Sequence, residues 1–576
     1  MFLKPNLALH AAGAILFVAV CISAQTQPPA PAPNSEEPAV GTISGSVVSE
    51  TGQPLAGATV VIRELNGLSP SRSSTTTDSE GVFRIKGLAP AVYAISASLP
   101  AYVTPLFDPT EPTNQYRIGD SVRIELMRGG VITGTVSNAA GEPVIGVRVR
   151  AAMVRDVKGQ TSQIRSFGFT ERLTDDRGIY RIYGVAPGTY FVSAGGGGAT
   201  QGFQLNAFDY DVPTYAPSST RDNAAEVSVR AGEETDADIR YRGEPGRTIS
   251  GTVKSSGQGG ASVTLVSAGS RFMPMAGFFQ FPGTRGFSFS GIGDGEYDLI
   301  AQEVTTPPSS LVPDLAISEP RRVIVKGADV TGIELLPRPL ASLSGRIALE
   351  PAKTTECQGK RRPLFAETLI TLKRPEKELE QDRVPYFRAI GGTGLVDTKG
   401  NFVLRNLMPG RYLFEPRFFA RYWYLASISG ANAKVDAAAN WTPVKSGDQL
   451  GNFTITLAEG AASVRGKLTP PTGAELPSGM GVYLVPADRE KAADVLRYFV
   501  ATVEADGTFA FNNLPPARYF ALAQTLDAQM NTLAKLRLPE AVEARTKLRR
   551  TAETQKTDLE LKACQNLTDY QLAVKQ

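Results

Sequence analysis

The side chains able to do chemistry in this chain are few. His10 is the only histidine in the 576 residues, and it sits in the apolar N-terminal stretch. Residues 1–24 read as an export signal: Lys4 supplies the positive start, Ala11 to Ile22 is apolar, and Ile22-Ser23-Ala24 places a small residue before Gln25. An uncleaved anchor would need about 20 apolar residues, and Asn6 and His10 interrupt this run. Bulky Val20 before Cys21 speaks against a lipoprotein signal. Cleavage removes the imidazole, which takes away Ser-His-Asp and Cys-His nucleophiles, histidine-held zinc and imidazole acid–base work. Cys357 and Cys564 remain, too few for a four-thiolate metal site. In an oxidising compartment they form a disulfide if they are neighbours, and otherwise stay free.

Carboxylates precede glycine in DSEGVFRI (from Asp78), DDRGIYRI (from Asp175), DTKGNFVL (from Asp397) and ADGTFAF (from Ala505). A calcium loop would need a D-x-D-x-D-G ladder and a distant Glu, which these lack. The corresponding stretch GTRGFSFS, from Gly283, has no Asp at all. The turn reading is simpler: Asp accepts a backbone N–H two residues on, and Gly supplies positive φ. No catalytic, cofactor-binding or metal-binding residue is assigned, and no cofactor is expected.

Aromatic residues offer the remaining candidate ligand surface. In RFMPMAGFFQFPGTRGF, from Arg271, Phe278 and Phe279 belong either to an exposed apolar patch or to packing between units, and the dense turn residues argue against one regular strand. In RFFARYWYLASI, from Arg417, and just beyond it, Trp423, Tyr424 and Trp441 can stack on the C–H faces of sugar rings, although alternation should send half of such residues into a core. The stretch from Gly195 through QGFQLNAFDYDVPTYAPSS reads as a long flexible loop; no G-K-S/T follows, so it is not a phosphate cradle.

Those residues must be carried by something, and a repeat shows what. GLAPAVY at Gly87 returns as GVAPGTY (Gly184), GIGDGEY (Gly291), NLMPGRY (Asn406) and NLPPARY (Asn513). Upstream of each lies an opening strand with a shared glycine: Gly45, Gly134, Gly251, Gly345 and Gly466, about 90 to 120 residues apart, the size of whole domains in tandem. ATVVI and VRVRA alternate with period two and read as strands, each joined to its opening strand by a Gly/Pro turn into a hairpin-like ribbon. The Asp–Gly turn restarts a strand. The repeated phrase then delivers Tyr93, Tyr190, Tyr297, Tyr412 or Tyr519, each expected to bury its ring and satisfy its hydroxyl on turn backbone as in a tyrosine corner. Closing strands follow from Ser121, Asp236, Gly332 and Asn452, and from Thr557 in the last unit; Pro539 to Arg550 has helical character.

The combination I-S-G-x-V, G-x-P-L-x-G-A-x-V, D-x-x-G-x-F-x-I and G-L-x-P-G-x-Y resembles the carboxypeptidase regulatory-like domain. The resemblance implies a transthyretin-like, or prealbumin-like, sandwich within the carbohydrate-binding-like folds, with no catalytic residues to carry over; in metallo-carboxypeptidases the zinc lies in a separate domain. The expected fold class is all-β: five tandem Ig-like/transthyretin-like Greek-key β-sandwiches with a short helix near the C-terminus. The expected boundaries are signal peptide 1–24, Pro-rich tether 25–41, and sandwiches 42–128, 129–244, 245–339, 340–460 and 461–576. A net charge of +3, from 60 basic and 57 acidic residues without long blocks of one sign, leaves no footprint for nucleic acid. The expectation is a non-catalytic exported binding or structural protein of the cell envelope, periplasmic, surface-bound or secreted. Its partners would be polysaccharide or envelope proteins, with no transmembrane segment after cleavage. The alternative is a carboxylate-dependent glycan-processing enzyme, or an accessory module of an envelope transport or peptidase system.

Overall fold

Alternating apolar residues cannot satisfy their backbone alone, so each such segment must find a neighbour, and the structure shows which. The computed structural model describes residues 40–65, 72–105, 115–157, 159, 170–196, 206–254, 260–268, 274–280 (backbone only), 285–305, 314–381, 393–430, 436–470, 476–526, 535–555 and 557–574. The expected signal and nearly all of the tether lie outside the described residues. Ten sheets of three to six strands are present among the described residues, and two of them belong to each repeat unit.

In the first unit the opening strand Gly41–Ser49 lies between Val82–Leu88, antiparallel, and the closing strand Ser121–Arg128, parallel. The opposite sheet places Thr59–Glu64 between Arg72–Thr76 and Tyr93–Ser98, with Gln115–Tyr116 at its far edge. The other opening strands are Gly130–Ser137, Arg247–Val253, Ala341–Glu350 and Ala462–Thr469. Each repeats the wiring, one antiparallel neighbour and one parallel closing neighbour. Alternation decides which residues enter the core: along Val82–Leu88, Phe83 and Ile85 point inward while Arg84 and Lys86 stay in water. Ile43 and Phe83 from one sheet meet Val60, Ile62 and Tyr93 from the other. Each buried side chain of this size contributes ~1.5–3 kcal/mol. Every unit has a core cluster of this kind, so each gains its own apolar stabilisation.

The shared glycine has a steric reason. Gly45 pairs with Phe83, Gly251 with Phe287, Gly345 with Phe402 and Gly466 with Phe509 across the antiparallel ladder. On the other side stand the carbonyls of Val122, Ile333, Phe453 and Tyr570 on the parallel closing strands. A Cβ at any of these glycines would overlap that carbonyl and crowd the aromatic ring. The glycine therefore lets the closing strand and the aromatic ring approach together.

Three expectations need correction. The opening strand and the one after it do not form a hairpin ribbon: they lie in opposite sheets and are joined only by the single bridges Val48 to Pro54 and Ser137 to Pro143. Proline has no N–H to extend the ladder, and the next residue, Leu55 or Val144, turns into the core instead. In the last unit Asp558–Glu560 belongs to the far edge of the second sheet, paired with Arg518–Phe520, and Asn566–Ala573 is the true closing strand. Both segments alternate, so pattern alone could not rank them. Within the presumed flexible loop, residues 206–223 are structured, with a tight turn at Ala207–Tyr210 and Thr214–Tyr215 pairing with Ser193 and Ala194; residues 197–205 lie outside the described residues. In the stretch from Arg271, Pro274–Gln280 forms one strand, paired with Ala261–Ser267, and Gly286–Ile292 is another; residues 271–273 and 281–284 lie outside the described residues.

The C-terminal helix spans Val542–Gln555, and its Leu548 and Ala552 pack on Tyr483, Val485 and Leu522 at the back of the fifth unit.

Candidate functional site

The repeated phrase turns the chain from one sheet to the other, and its geometry is the same five times. Its first residue is left-handed: Gly87, Gly184 and Gly291 have φ of 75°, 70° and 71°, and Asn406 and Asn513 have φ of 59° and 57°. Six residues later the tyrosine enters the core. Tyr93, Tyr190, Tyr297, Tyr412 and Tyr519 are all buried. Each phenol donates to the carbonyl four residues before it, on Ala89 (2.7 Å), Ala186 (2.6 Å), Gly293 (2.8 Å), Met408 (2.7 Å) and Pro515 (3.0 Å). Burial pushes Tyr93 up to about 12, aided by nearby Glu64, and Tyr297 also up to about 12; Tyr190 and Tyr519 are raised by burial as well. Phenols so placed hold their protons and brace the turn.

The aspartates are engaged in the same way. Asp78 Oδ1 accepts from the N–H groups of Glu80 and Val82, Asp175 Oδ1 from Arg177 and Ile179, and Asp397 Oδ1 from Lys399 and Asn401. Hydrogen bonds from Arg177 and Ile179 hold the Asp175 carboxyl below the usual range, and those from Asn401 and Lys399 do so for Asp397. In the last unit Glu504 takes the corresponding backbone position, and Asp506 instead caps Thr508. Among the described residues no three His, Cys, Asp or Glu side chains are grouped to hold a metal ion, and no helix is long and apolar enough to cross a membrane.

The candidate aromatic surface does not assemble as expected. Trp423 is fully buried in the fourth core and cannot be a sugar platform, because the strand Trp423–Ser429 presents that position inward. Tyr424 is half-buried beneath the Arg497 guanidinium, 5.5 Å from its ring. Trp441 is half-buried too: its indole N–H donates to Glu540 at 3.0 Å, and Arg411 lies 5.7 Å over its ring. Arg497 and Glu540 come from the fifth unit. Phe278 and Phe279 lie opposite Val263 and Ser262 on the strand Pro274–Gln280, and their side chains are not among the described parts.

What the structure brings together at these residues is a joint. Asn513 of the fifth unit donates through Nδ2 to the carbonyls of Ala420 (2.6 Å) and Trp423 (2.7 Å) in the fourth. Arg421 donates to Asn566 at 2.7 Å, and Val495 and Leu496 enter the fourth core. Cys357 and Cys564 are bonded across this joint, with Cα atoms 5.5 Å apart and a sequence separation of 207. One joint upstream the pattern recurs: Asn406 Oδ1 accepts from Leu315 N–H at 2.9 Å, beside an Arg405–Asp314 ion pair at 2.8 Å. Sequence reasoning missed these clamps. The signal was present, since the phrase begins with Gly three times and then with Asn twice. Asparagine is among the few residues that enter the left-handed region readily, and it adds an amide that can reach a neighbour.

Comparison with known proteins finds a family model that matches part of the chain. Residues 42–114 match the carboxypeptidase regulatory-like domain. The BOS complex subunit NOMO1 of Mus musculus is 28% identical over 158 residues, 27% of this chain; the chain spans 12% of that relative's length. Among solved structures, the Bacillus anthracis TIE protein is 15% identical, covering 52% of this chain and 51% of its own, at a TM-score of 0.14. GBS52, the minor pilin of Streptococcus agalactiae, is 13% identical over 35% of this chain and 97% of its own, at 0.19. BcpA, the major pilin subunit of Bacillus cereus, is 12% identical over 52% and 99%, at 0.14. At these TM-scores the structural likeness carries no argument about activity.

Proposed function

We propose, from the premise that residues 42–114 are a carboxypeptidase regulatory-like domain and that four units of the same wiring follow it, that this chain is a non-catalytic, exported, multi-domain structural and binding protein of the cell envelope. The boundaries that go with this reading are sandwiches at 42–128, 129–244, 245–339, 340–460 and 461–576 behind a cleaved signal at 1–24 and a tether at 25–41.

One observation carries it. The side chains that recur in every unit, or nearly every unit, are spent on architecture: glycines on close approach, aspartates on turn N–H groups, tyrosine hydroxyls on turn carbonyls. Each of these polar groups already has its hydrogen-bond partner within the turn it braces. The Cys357–Cys564 bond supports export, because such bonds persist in oxidising compartments. Polysaccharide or another envelope protein is the partner class this reading assigns.

Cell fractionation with mass spectrometry tests the export half. The expected product begins near Gln25, resides outside the cytoplasm and carries oxidised Cys357 and Cys564. A cytoplasmic product with an intact N-terminus and free thiols overturns it. A glycan array and a polysaccharide hydrolysis screen test the rest: glycan retention without turnover fits a binding module, whereas turnover abolished by replacing a single carboxylate establishes the enzyme alternative.

A further inference from the structure

Every sandwich places its first and last strands side by side and parallel, and the way the units are joined gives this a mechanical consequence. The pairs run Ser44–Ser49 with Ser121–Leu126, Val131–Thr133 with Glu234–Asp236, Gly251–Val253 with Ile333–Leu335, Gly345–Glu350 with Phe453–Ala458, and Gly466–Thr469 with Tyr570–Ala573. Chain enters at the start of the opening strand and leaves at the end of the closing strand. For parallel neighbours those two points lie at opposite ends of the ladder. Tension between them slides one strand along the other and loads the ladder's hydrogen bonds together, instead of opening them one at a time. Two of the four joints have little slack: Gly129 alone separates the first closing strand from the second opening strand, and Gly460 and Ala461 separate the fourth from the fifth, whereas residues 241–246 and 336–340 lie between these strands at the other two.

We propose that the chain is a load-bearing tether, built to carry tension between its N- and C-termini through the three shear-loaded ladders of the first three sandwiches in series, followed by a disulfide-closed block made of the last two. This rests on reading the protein as structural, and it deepens that reading by naming what the structure resists.

The disulfide belongs to the same device. Cys357 follows the opening strand of the fourth sandwich, and Cys564 immediately precedes the closing strand of the fifth. A covalent path therefore runs from that opening strand through the bond to that closing strand. The residues between the two cysteines, whose sequence separation is 207, lie in a closed loop that tension cannot extend. At about 3.4 Å per residue, the bond withholds about 70 nm of chain. The last two sandwiches thus form a terminal block whose extension has a covalent stop.

Single-molecule pulling on the full chain, held at its two ends, tests the proposal. Ladders loaded in shear yield once the strands slip by about one hydrogen-bond length, so the transition-state distance should be about 3 Å for each event. Distances of about 10 Å, two strand spacings, would mean that pairs open in succession, and would overturn it. Adding a thiol reductant should lengthen the fully unfolded chain by about 70 nm; an unchanged length would refute the covalent stop. Gly45→Ala, which wedges the first ladder, should lower the rupture force of one event. Ile62→Ala, in the core of the opposite sheet, should lower the thermal stability of the same sandwich and leave that force in place; equal loss of force in both variants would also overturn the proposal. Should Gly45→Ala fail to fold, the transition-state distances of the unaltered chain decide. A chain that yields by unzipping yet still binds a glycan or an envelope protein would defeat the load-bearing claim alone and leave the binding function standing.

Discussion

Removing one oxygen atom, in Tyr412→Phe, separates a structural tyrosine from a functional one. The Tyr412 hydroxyl donates to the Met408 carbonyl at 2.7 Å, and its ring lies in the fourth core together with Trp423. Phenylalanine keeps the ring, so the apolar burial survives. The loss is one hydrogen bond, worth ~0.5–1.5 kcal/mol net, and it rises to as much as ~3 kcal/mol if the Met408 carbonyl is left without a donor. Tyr412→Ala removes the ring as well and should cost ~3–5 kcal/mol. The chain's two tryptophans, Trp423 and Trp441, both belong to the fourth unit, so their fluorescence follows that unit in urea. With a slope of ~2 kcal/mol per molar urea, the loss of the hydrogen bond in Tyr412→Phe should lower the midpoint by about 0.25 to 0.75 M. Tyr412→Ala should lower it at least twice as far. An unchanged midpoint in Tyr412→Phe, or equal shifts in the two variants, would refute the brace; unchanged stability with lost ligand binding would mean that these phenols serve a site.

Three further outcomes follow from the same geometry. Gly345→Ala, whose Cβ would overlap the Phe453 carbonyl and crowd Phe402, should cost more than ~3 kcal/mol by the same fluorescence assay, and a cost below ~1 kcal/mol would disprove the close-approach argument. Asn513→Gly keeps the left-handed backbone and loses only the amide, so hydrogen exchange should rise around Ala420 to Trp423 while the fifth core stays protected. Asn513→Ala adds ~1 kcal/mol or more of backbone strain, and equal behaviour of the two variants would count against the clamp. Tyr93 and Tyr297 have folded pKa values above their unfolded value of 10.0, so their share of stability is complete below pH 10 and is lost as pH rises toward about 12, at no more than ~1.4 kcal/mol per pH unit for each phenol. Thermal melts across that range, read beside phenolate absorbance, should show the decline, and a flat profile would contradict the burial assigned to them.

Much of this was legible because the repeat multiplies local signals. An Asp–Gly turn, a left-handed Gly or Asn and a tyrosine six residues later each act within a few residues of chain, and the last two recur in all five units and the Asp turn in three. The candidate site was far less legible. Residue type alone makes Trp423, Tyr424 and Trp441 candidates for stacking on a sugar, but strand alternation does not say which face is the core, nor that Arg497 and Glu540 arrive from the next unit. The Thr557 segment misled for a related reason: Asp558–Glu560 and Asn566–Ala573 carry the same alternation, and only pairing with Ala462–Thr469 distinguishes them.

The amino-acid sequence by itself determined the strand-rich class, the five-fold order and the chemistry of each turn, since these follow from backbone sterics and short-range hydrogen bonds. Tertiary structure alone decided that opening and closing strands run parallel as neighbours, that Trp423 faces inward, and that Cys357 meets Cys564. Those outcomes depend on surfaces from about eighty to about two hundred residues apart fitting together, and no local window of sequence contains both halves of such a fit.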